Sequence, residues 1–99
     1  MKICLITFTR NSEKGLKRLL ENVYEIVDDI VIIDGFSTDN TLKIAKDYNA
    51  RIYQRKPLGY PDPERLRAMK LCKYDWILHL DTDEIINENL KHDLKSLIF

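Results

Sequence analysis

The sequence predicts an α/β fold: an open, mainly parallel four-stranded sheet flanked by helices. Four short runs rich in strand-forming residues lie at positions 3–8, 30–33, 51–54 and 76–80, and between them apolar residues recur at helical spacing. Strands separated by helices pair in parallel through right-handed crossovers, so the order βαβαβαβα gives an open sheet. The 99 residues, 44% of them hydrophobic, suffice for a single domain over residues 1–99 with a real core.

Each predicted helix follows residues that can cap its first turn. In chain order the capping candidates are Asn11, Ser12, residues 37–39, Asp62 and Asn87. Gly15 lies inside the first helix and weakens it by about 1 kcal/mol relative to alanine. Asn49 is predicted to end the second helix, because asparagine tolerates the left-handed conformation found at helix ends. The one stretch predicted to be irregular is 55–61.

Composition excludes several classes of partner. Sixteen basic residues balance sixteen acidic ones, so no net charge draws the chain to nucleic acid. No apolar run approaches the roughly 20 residues that span a bilayer. The apolar start of the chain is interrupted by Arg10, too early for a signal peptide. We therefore expect a cytoplasmic protein, with the inner face of the membrane as the alternative position, and no nucleic-acid partner.

Cysteine, tryptophan and histidine residues are expected to have structural roles. Cys4 and Cys72 lie far apart and form no CxxC or Cys/His cluster, so we expect two buried, unpaired thiols and no disulfide or zinc site. Trp76 is expected in the core. His79 alternates with two leucines in the fourth strand. We expect it on the opposite face from them, as a structural histidine with its hydrogen bonds satisfied.

Polar residues gather where strands end, which is where open α/β sheets bind ligands. The three clusters are residues 7–11, the pair Asp34 and Gly35, and residues 81–84. Carboxylates two residues apart repel unless a cation joins them, and hard oxygen ligands suit Mg²⁺ or Mn²⁺ bound together with substrate phosphates. That chemistry favours transfer from a diphosphate-activated donor. The alternative is a solvated acidic turn before a helix.

Other residues near these strand ends allow two interpretations each. Asp34 could accept hydrogen bonds from a ligand, or it could open an Asx-turn. Gly35 permits a positive φ or the close approach of a ligand. Arg51, Arg55 and Lys56 form a basic cluster that is either a solvated patch or a phosphate contact. The sequence shows no GxGxxG, P-loop or Ser/His/Asp arrangement, which argues against hydride transfer and P-loop ATPase chemistry.

Three segments together resemble family 2 glycosyltransferases of the GT-A fold. They are ITFTRN (6–11), IIDGFSTDNT (32–41) and DWILHLDTDE (75–84), and their order and spacing match across nearly the whole chain. Residues 45–53 are similar to the second helix and third strand of that family. The nearest likeness is to the branch related to lipopolysaccharide-core glucosyltransferases, which has a D-x-x-S-T-D turn and an L-D-x-D-E metal motif.

The resemblance implies a nucleotide-sugar site with named residues. Phe8 and Thr9 would line the pocket for the base, and Asp34 would touch the base or ribose. Asp81 would face the ribose and the metal, while Asp83 would coordinate the Mn²⁺ or Mg²⁺ that bridges the diphosphate. The resemblance also implies an inverting transfer from a nucleotide-diphosphate sugar, with a carboxylate general base activating the acceptor hydroxyl.

The sequence departs from the family pattern in two ways. Leu66 stands where the branch often has asparagine, with Arg65 as the neighbouring candidate for that contact. In addition, the family's catalytic domain continues well past the metal motif, and that further half supplies the acceptor site and the general base. We therefore expect residues 1–99 to be a donor-binding half without them, since Glu84 lies too close to the metal ligands to serve as the base.

Two other functions compete with glycosyl transfer. A non-catalytic module for assembly or regulation fits the missing half, but not the presence of both Asp81 and Asp83. A phosphoryl-accepting, receiver-like domain needs a differently ordered acid cluster and a lysine after a fifth strand, and the sequence shows neither. In each case an uncovered sheet edge and the apolar residues 96–99 predict association with a second copy of the chain.

Overall fold

The computed structural model describes residues 2–56 and 62–98. Within them it contains four strands and four helices in the predicted alternating order. In chain order the elements are β1 (Ile3–Thr9), α1 (Glu13–Val23), β2 (Asp29–Asp34), α2 (Thr41–Asp47), β3 (Arg51–Gln54), α3 (Asp62–Leu71), β4 (Trp76–His79) and α4 (Glu88–Ile98). The predicted α/β class is confirmed.

The four strands form one sheet of order β3-β2-β1-β4, and every pairing is parallel. The register pairs Thr9 with Asp34 at the ends of β1 and β2, and Ile6 with His79 between β1 and β4. All the strands therefore end at the same edge of the sheet, which we call the carboxyl edge. The strand β1 lies between β2 and β4 at this edge.

The core consists of two clusters of buried side chains, one on each face of the sheet. Residues of α1 and α2 cover one face, with the first-helix leucines completely buried. On the other face α3 meets the sheet through Ala68, Leu71 and Cys72, which leaves Leu66 and Met69 exposed. A small residue at position 68 allows close packing of helix on sheet. Because both faces are covered, β1 and β2 consist mostly of apolar residues.

Several predicted helix ends are confirmed in the described residues. Asn49 has a φ of 59° just after α2. Asn87 caps α4, since its Oδ1 accepts a hydrogen bond of 2.8 Å from the Leu90 amide. Ser12 precedes α1 without a side-chain cap. Most of the stretch predicted to be irregular, 57–61, lies outside the described residues, as does the side chain of Asp62.

The expectation of two unpaired thiols is wrong. A disulfide joins Cys4 in β1 to Cys72 after α3, with the two Cα atoms 5.9 Å apart. Sequence separation hides this pairing because the chain makes two crossovers before α3 returns to lie over β1. The disulfide ties the helix on one face of the sheet to a central strand.

Trp76 was expected in the core, and the structure places it at the surface. Its side chain is 60% exposed. The residue begins β4, an edge strand, and it pairs with Ile3 at the amino end of the sheet, where no helix of the described residues covers the indole.

Among the helices of the described residues, none is long and apolar enough to cross a membrane.

Candidate functional site

Three of the predicted site residues meet at the carboxyl edge. Thr9 ends β1, Asp34 ends β2, and Asp81 follows β4 by two residues. β2, which Asp34 ends, and β4, which Asp81 follows, lie on either side of β1, so about 10 Å of strand spacing separates the ends of these two strands. This span is comparable with the length of a nucleoside diphosphate, and the arrangement follows directly from the strand order.

Asp34 is completely buried and fully hydrogen-bonded. Its Oδ1 accepts bonds from the Thr9 hydroxyl (2.6 Å) and the Ser37 hydroxyl (2.5 Å). Its Oδ2 accepts bonds from the Ser37 amide (2.8 Å) and the Gln54 side-chain amide (3.2 Å). A carboxylate offers about four acceptor positions, so all of them are occupied. The bond from the exposed Gln54 is the longest of the four.

The same contacts set the charge state of Asp34. Burial raises the pKa of its carboxyl group, whereas the hydrogen bonds from Ser37, Thr9 and Gln54 lower it, and together these bonds prevail. The pKa of Asp34 therefore lies below its ordinary value. The Ser37 amide lies three residues after Asp34, so its bond differs from the predicted Asx-turn, in which the amide two residues on donates. Asp34 is thus a fixed negative charge at the edge of the sheet.

The loop after β1 is fastened to the loop after β2. Asn11 adopts a φ of 48°, and its amide donates a bond of 2.8 Å to the Ser37 hydroxyl. Its Oδ1 accepts a bond of 2.7 Å from the Thr38 amide. Phe36 precedes Ser37 in the loop after β2, and its side chain is 56% exposed. Its φ of 61° is an uncommon backbone conformation for a bulky residue. The carboxyl edge is therefore held rigidly near Asp34.

Asp39 accepts hydrogen bonds from the starts of two helices, although the N-cap position of α2 is Asn40 and not one of the predicted residues 37–39. Its Oδ1 accepts bonds from the Thr41 amide (3.0 Å) and hydroxyl (2.5 Å), while its Oδ2 accepts a bond of 3.3 Å from the Glu13 amide. The hydrogen bond from the Thr41 hydroxyl is the main cause that holds the pKa of Asp39 below its ordinary value. One carboxylate thereby serves the first turns of both α1 and α2.

Asp81, Asp83 and Glu84 form a cluster of exposed carboxylates after β4, which we call the acidic turn. One oxygen atom from each residue lies within 4.8 Å of the others. The turn is closed by a bond of 3.0 Å from the Glu84 amide to the Asp81 carbonyl, and the Asp81 amide donates to Glu84 Oε1 at 2.8 Å. Three converging carboxylate oxygens fit the preferences of Mg²⁺ or Mn²⁺.

The acidic turn rests on α1 at Gly15. A Cβ atom at position 15 would lie 2.7 Å from the Thr82 carbonyl oxygen and 3.1 Å from Thr82 Cβ. Farther along, Asn22 bonds to both the amide (2.9 Å) and the carbonyl oxygen (3.1 Å) of Ile86. From the sequence, only the cost of Gly15 to its helix could be predicted. A glycine inside an otherwise regular amphipathic helix was the available signal for this close contact.

Phe8 and Thr9 point to opposite faces of the sheet. The Thr9 side chain is buried and its hydroxyl is bonded to Asp34. Phe8 is half-buried on the α3 face, where its ring meets the His79 imidazole edge to face with centroids 5.5 Å apart. His79 faces away from Leu78 and Leu80, as predicted. Its Nε2 atom, however, is buried without a hydrogen-bond partner, so the expectation of a satisfied histidine is wrong.

The predicted basic cluster is divided between the two ends of β3. Arg51 begins the strand and belongs to the opposite edge, where its Nε donates to Asp29 (3.1 Å) and its Nη2 to the Leu71 carbonyl (2.6 Å). Its hydrogen bond with Asp29 raises the pKa of Arg51. Arg55 and Lys56 follow the strand at the carboxyl edge, and the Arg55 Nε atom is buried without a hydrogen-bond partner. Of the three basic residues, Arg55 and Lys56 are therefore the two that can face a ligand at the carboxyl edge.

Comparison with known sequences gives consistent matches. The profile of the family described as glycosyl transferase family 2 matches residues 4–98. An uncharacterized glycosyltransferase of Rickettsia typhi is 32% identical over 97% of this chain. The poly(ribitol-phosphate) beta-N-acetylglucosaminyltransferase TarS of Staphylococcus aureus is 31% identical over 99% of it. The chain spans 32% of the Rickettsia protein and 19% of TarS, so it corresponds to a minor part of either.

Comparison with solved structures gives the same picture. A crystal structure of an S. aureus TarS fragment in complex with UDP superposes with a TM-score of 0.79 at 30% identity, and covers 99% of this chain and 32% of the fragment. Glucosyl-3-phosphoglycerate synthase from Mycobacterium tuberculosis, solved with Mn²⁺, UDP and glucosyl-3-phosphoglycerate, has a TM-score of 0.65 at 22% identity over 82% of this chain and 33% of the synthase. The second likeness shows a shared fold only.

Proposed function

The chain belongs to glycosyl transferase family 2, and on this premise we propose that its carboxyl edge binds a nucleotide-diphosphate sugar for metal-dependent transfer of the sugar to an acceptor hydroxyl. One observation carries the proposal. A buried, ionised Asp34 and the acidic turn lie at the same edge of one sheet, on opposite sides of β1. One end of this arrangement suits a nucleoside and the other suits a diphosphate with its cation.

We assign Mn²⁺ or Mg²⁺ to Asp81 and Asp83. Their carboxylates are exposed and can therefore share a cation with a diphosphate. When bound, the cation supplies charge neutralisation to the departing nucleoside diphosphate. Glu84 Oε1 already accepts a bond from the Asp81 amide, so it shapes the turn and is the less available ligand. The three carboxylates would repel one another without a cation.

We propose that Asp34 contacts the base or ribose by exchanging one hydrogen-bond partner. Its acceptor positions are full, and the exposed Gln54 amide holds the longest bond, 3.2 Å. A nucleotide N–H or hydroxyl can take that position when Gln54 turns outward. Phe8 and Thr9 serve this end of the site differently: Thr9 fixes Asp34, and Phe8 offers an aromatic edge on the α3 face. The match to TarS, solved with UDP, supports a uridine nucleotide.

We propose that the general base and the acceptor site belong to sequence outside residues 1–99. This chain spans 32% of the Rickettsia typhi relative and 19% of TarS, so each relative contains much further sequence. The carboxylates at the carboxyl edge already have roles in donor binding.

The assignment to the lipopolysaccharide-core branch and the cytoplasmic location also stay predictions, as does association with a second copy. The outer edge of β4 pairs with no strand of the described residues, so sedimentation velocity at micromolar concentration should detect a dimer.

A thermal-shift panel of nucleotide sugars, each with and without Mn²⁺, tests the proposal. We expect a uridine-diphosphate sugar with Mn²⁺ to raise the melting temperature, and Asp83→Ala to abolish the shift. Donor hydrolysis measured in parallel shows whether the bound sugar is activated. No shift with any nucleotide donor would remove the proposal, and the non-catalytic alternative would then stand.

A further inference from the structure

His79 is the histidine at the carboxyl edge, and its imidazole has an unexplained nitrogen. The Nε2 atom is buried without a hydrogen-bond partner in the described part of the chain. An unsatisfied buried polar atom costs about 1–3 kcal/mol, so it calls for a physical reason. The ring packs edge to face against Phe8 of β1, the strand with which β4 pairs. Its orientation is therefore set by packing.

The fixed nitrogen is directed at a residue of the acidic turn. His79 Nε2 lies 4.0 Å from Asp81 Oδ1, about 1 Å beyond a hydrogen bond. The Asp81 side chain is 66% exposed and accepts no other hydrogen bond in the described residues. Because this side chain is exposed, it has room to rotate toward the imidazole. The imidazole, which is 29% exposed and packs against Phe8, does not need to move.

We propose that His79 is a positioning residue for Asp81. With the cation and nucleotide bound, the Nε2–H group donates a hydrogen bond to Asp81 Oδ1, and this bond turns the second carboxylate oxygen toward the cation. A neutral imidazole carries one N–H donor, so the step needs no change of protonation. A fixed carboxylate binds a cation better than one that rotates freely. The inference rests on the proposed function and assigns it a residue that the metal motif does not contain.

Calorimetric titration with UDP, in the presence and absence of Mn²⁺, tests the inference in three proteins: the unchanged one and two His79 variants. We expect His79→Leu, which keeps volume but lacks a donor, to weaken the Mn²⁺-dependent binding of UDP about tenfold. His79→Gln restores an N–H donor and should recover most of the loss. Binding of UDP without Mn²⁺ should be the same in all three proteins. Equal losses in the two His79 variants, or a loss that is independent of Mn²⁺, would overturn the role.

A double-mutant cycle with Asp81→Ala separates positioning from general packing. If His79 acts through Asp81, His79→Leu has no further effect on UDP binding in the Asp81→Ala background. An undiminished effect in that background contradicts the inference. If the unchanged protein fails to bind UDP with Mn²⁺, the proposed function falls and this inference falls with it. Binding that ignores His79 removes the inference alone.

Discussion

Gly15 lies directly beneath the Thr82 carbonyl oxygen, so close that no side chain fits between α1 and the acidic turn. A Cβ atom there would meet this oxygen at 2.7 Å. Thr82 is flanked by Asp81 and Asp83. The contact between Thr82 and the backbone of α1 therefore sets how far both carboxylates lie from the helix. A residue that looks like a defect in the helix is thus part of the site.

The substitution Gly15→Ala tests this contact through the sign of its effect. Helix propensity alone would stabilise the variant by about 1 kcal/mol. We expect instead a destabilisation of about 1–3 kcal/mol, because the methyl group displaces the turn, together with weaker Mn²⁺-dependent UDP binding. Chemical denaturation and calorimetry measure the two effects. Lys14→Ala, at an exposed neighbouring position, is the control. A stabilised Gly15→Ala variant with unchanged binding would show that the turn moves freely.

Replacing Asp34 with asparagine should destabilise the fold. The amide group introduces a donor where Thr9, Ser37 and Gln54 already donate, so at least one buried bond is lost. We expect a loss of about 2 kcal/mol in the free energy of unfolding, and loss of UDP binding. Gln54→Ala is the matched comparison, since it removes only the exposed donor and should leave UDP affinity equal or higher. Weaker binding in Gln54→Ala would contradict the exchange of partners proposed for Asp34.

The lowered pKa of Asp34 also predicts a pH dependence. In the folded chain its carboxyl group holds its proton less tightly than in the unfolded chain, so the unfolded state binds more protons in the acid range. Stability from Asp34 is therefore fully present above about pH 4 and is lost as pH falls through the lower pKa of the folded state. The Asp34→Asn variant should show a shallower decline of unfolding free energy below that pH. Parallel curves for the two proteins would refute the assignment.

The disulfide between Cys4 and Cys72 predicts a large effect of reductant. It closes a loop with a sequence separation of 68, which corresponds to about 4 kcal/mol of unfolding free energy in the chain-entropy account. We expect dithiothreitol to lower the melting temperature of the unchanged protein and to leave Cys72→Ala unaffected. Thiol titration of the unfolded, unreduced protein should find no free thiol. Two titratable thiols would contradict the pairing.

Local patterns were enough to predict the alternation of elements and the edge of the sheet at which Asp34 and the acidic turn lie. Apolar runs such as the one in β1 reflect burial on both faces, and the parallel order places every strand end together. The metal-competent acids and Asp34 were found because they follow such runs directly. These are properties of neighbouring residues, which a sequence displays.

The features that escaped prediction depend on contacts between distant segments. The Cys4–Cys72 pairing and the contact between Gly15 and Thr82 each join parts of the chain separated by several elements. Tryptophan is a residue type expected in a core, but Trp76 lies at the uncovered start of an edge strand. The lack of a hydrogen-bond partner for His79 Nε2 in the described residues can be seen only from interatomic distances. No pattern of residue types contains that information.

Calorimetric titration of UDP into the 99-residue chain with Mn²⁺, in which Asp83→Asn is compared with Asp75→Asn, is the decisive measurement for a donor site at the carboxyl edge. Both variants remove one exposed carboxylate, and Asp75 lies just before β4, at the other end of that strand. The account predicts Mn²⁺-dependent binding in the unchanged protein and in Asp75→Asn, and its loss in Asp83→Asn. Binding that is equally strong in all three proteins, or absent from the unchanged one, would contradict a donor site at the carboxyl edge.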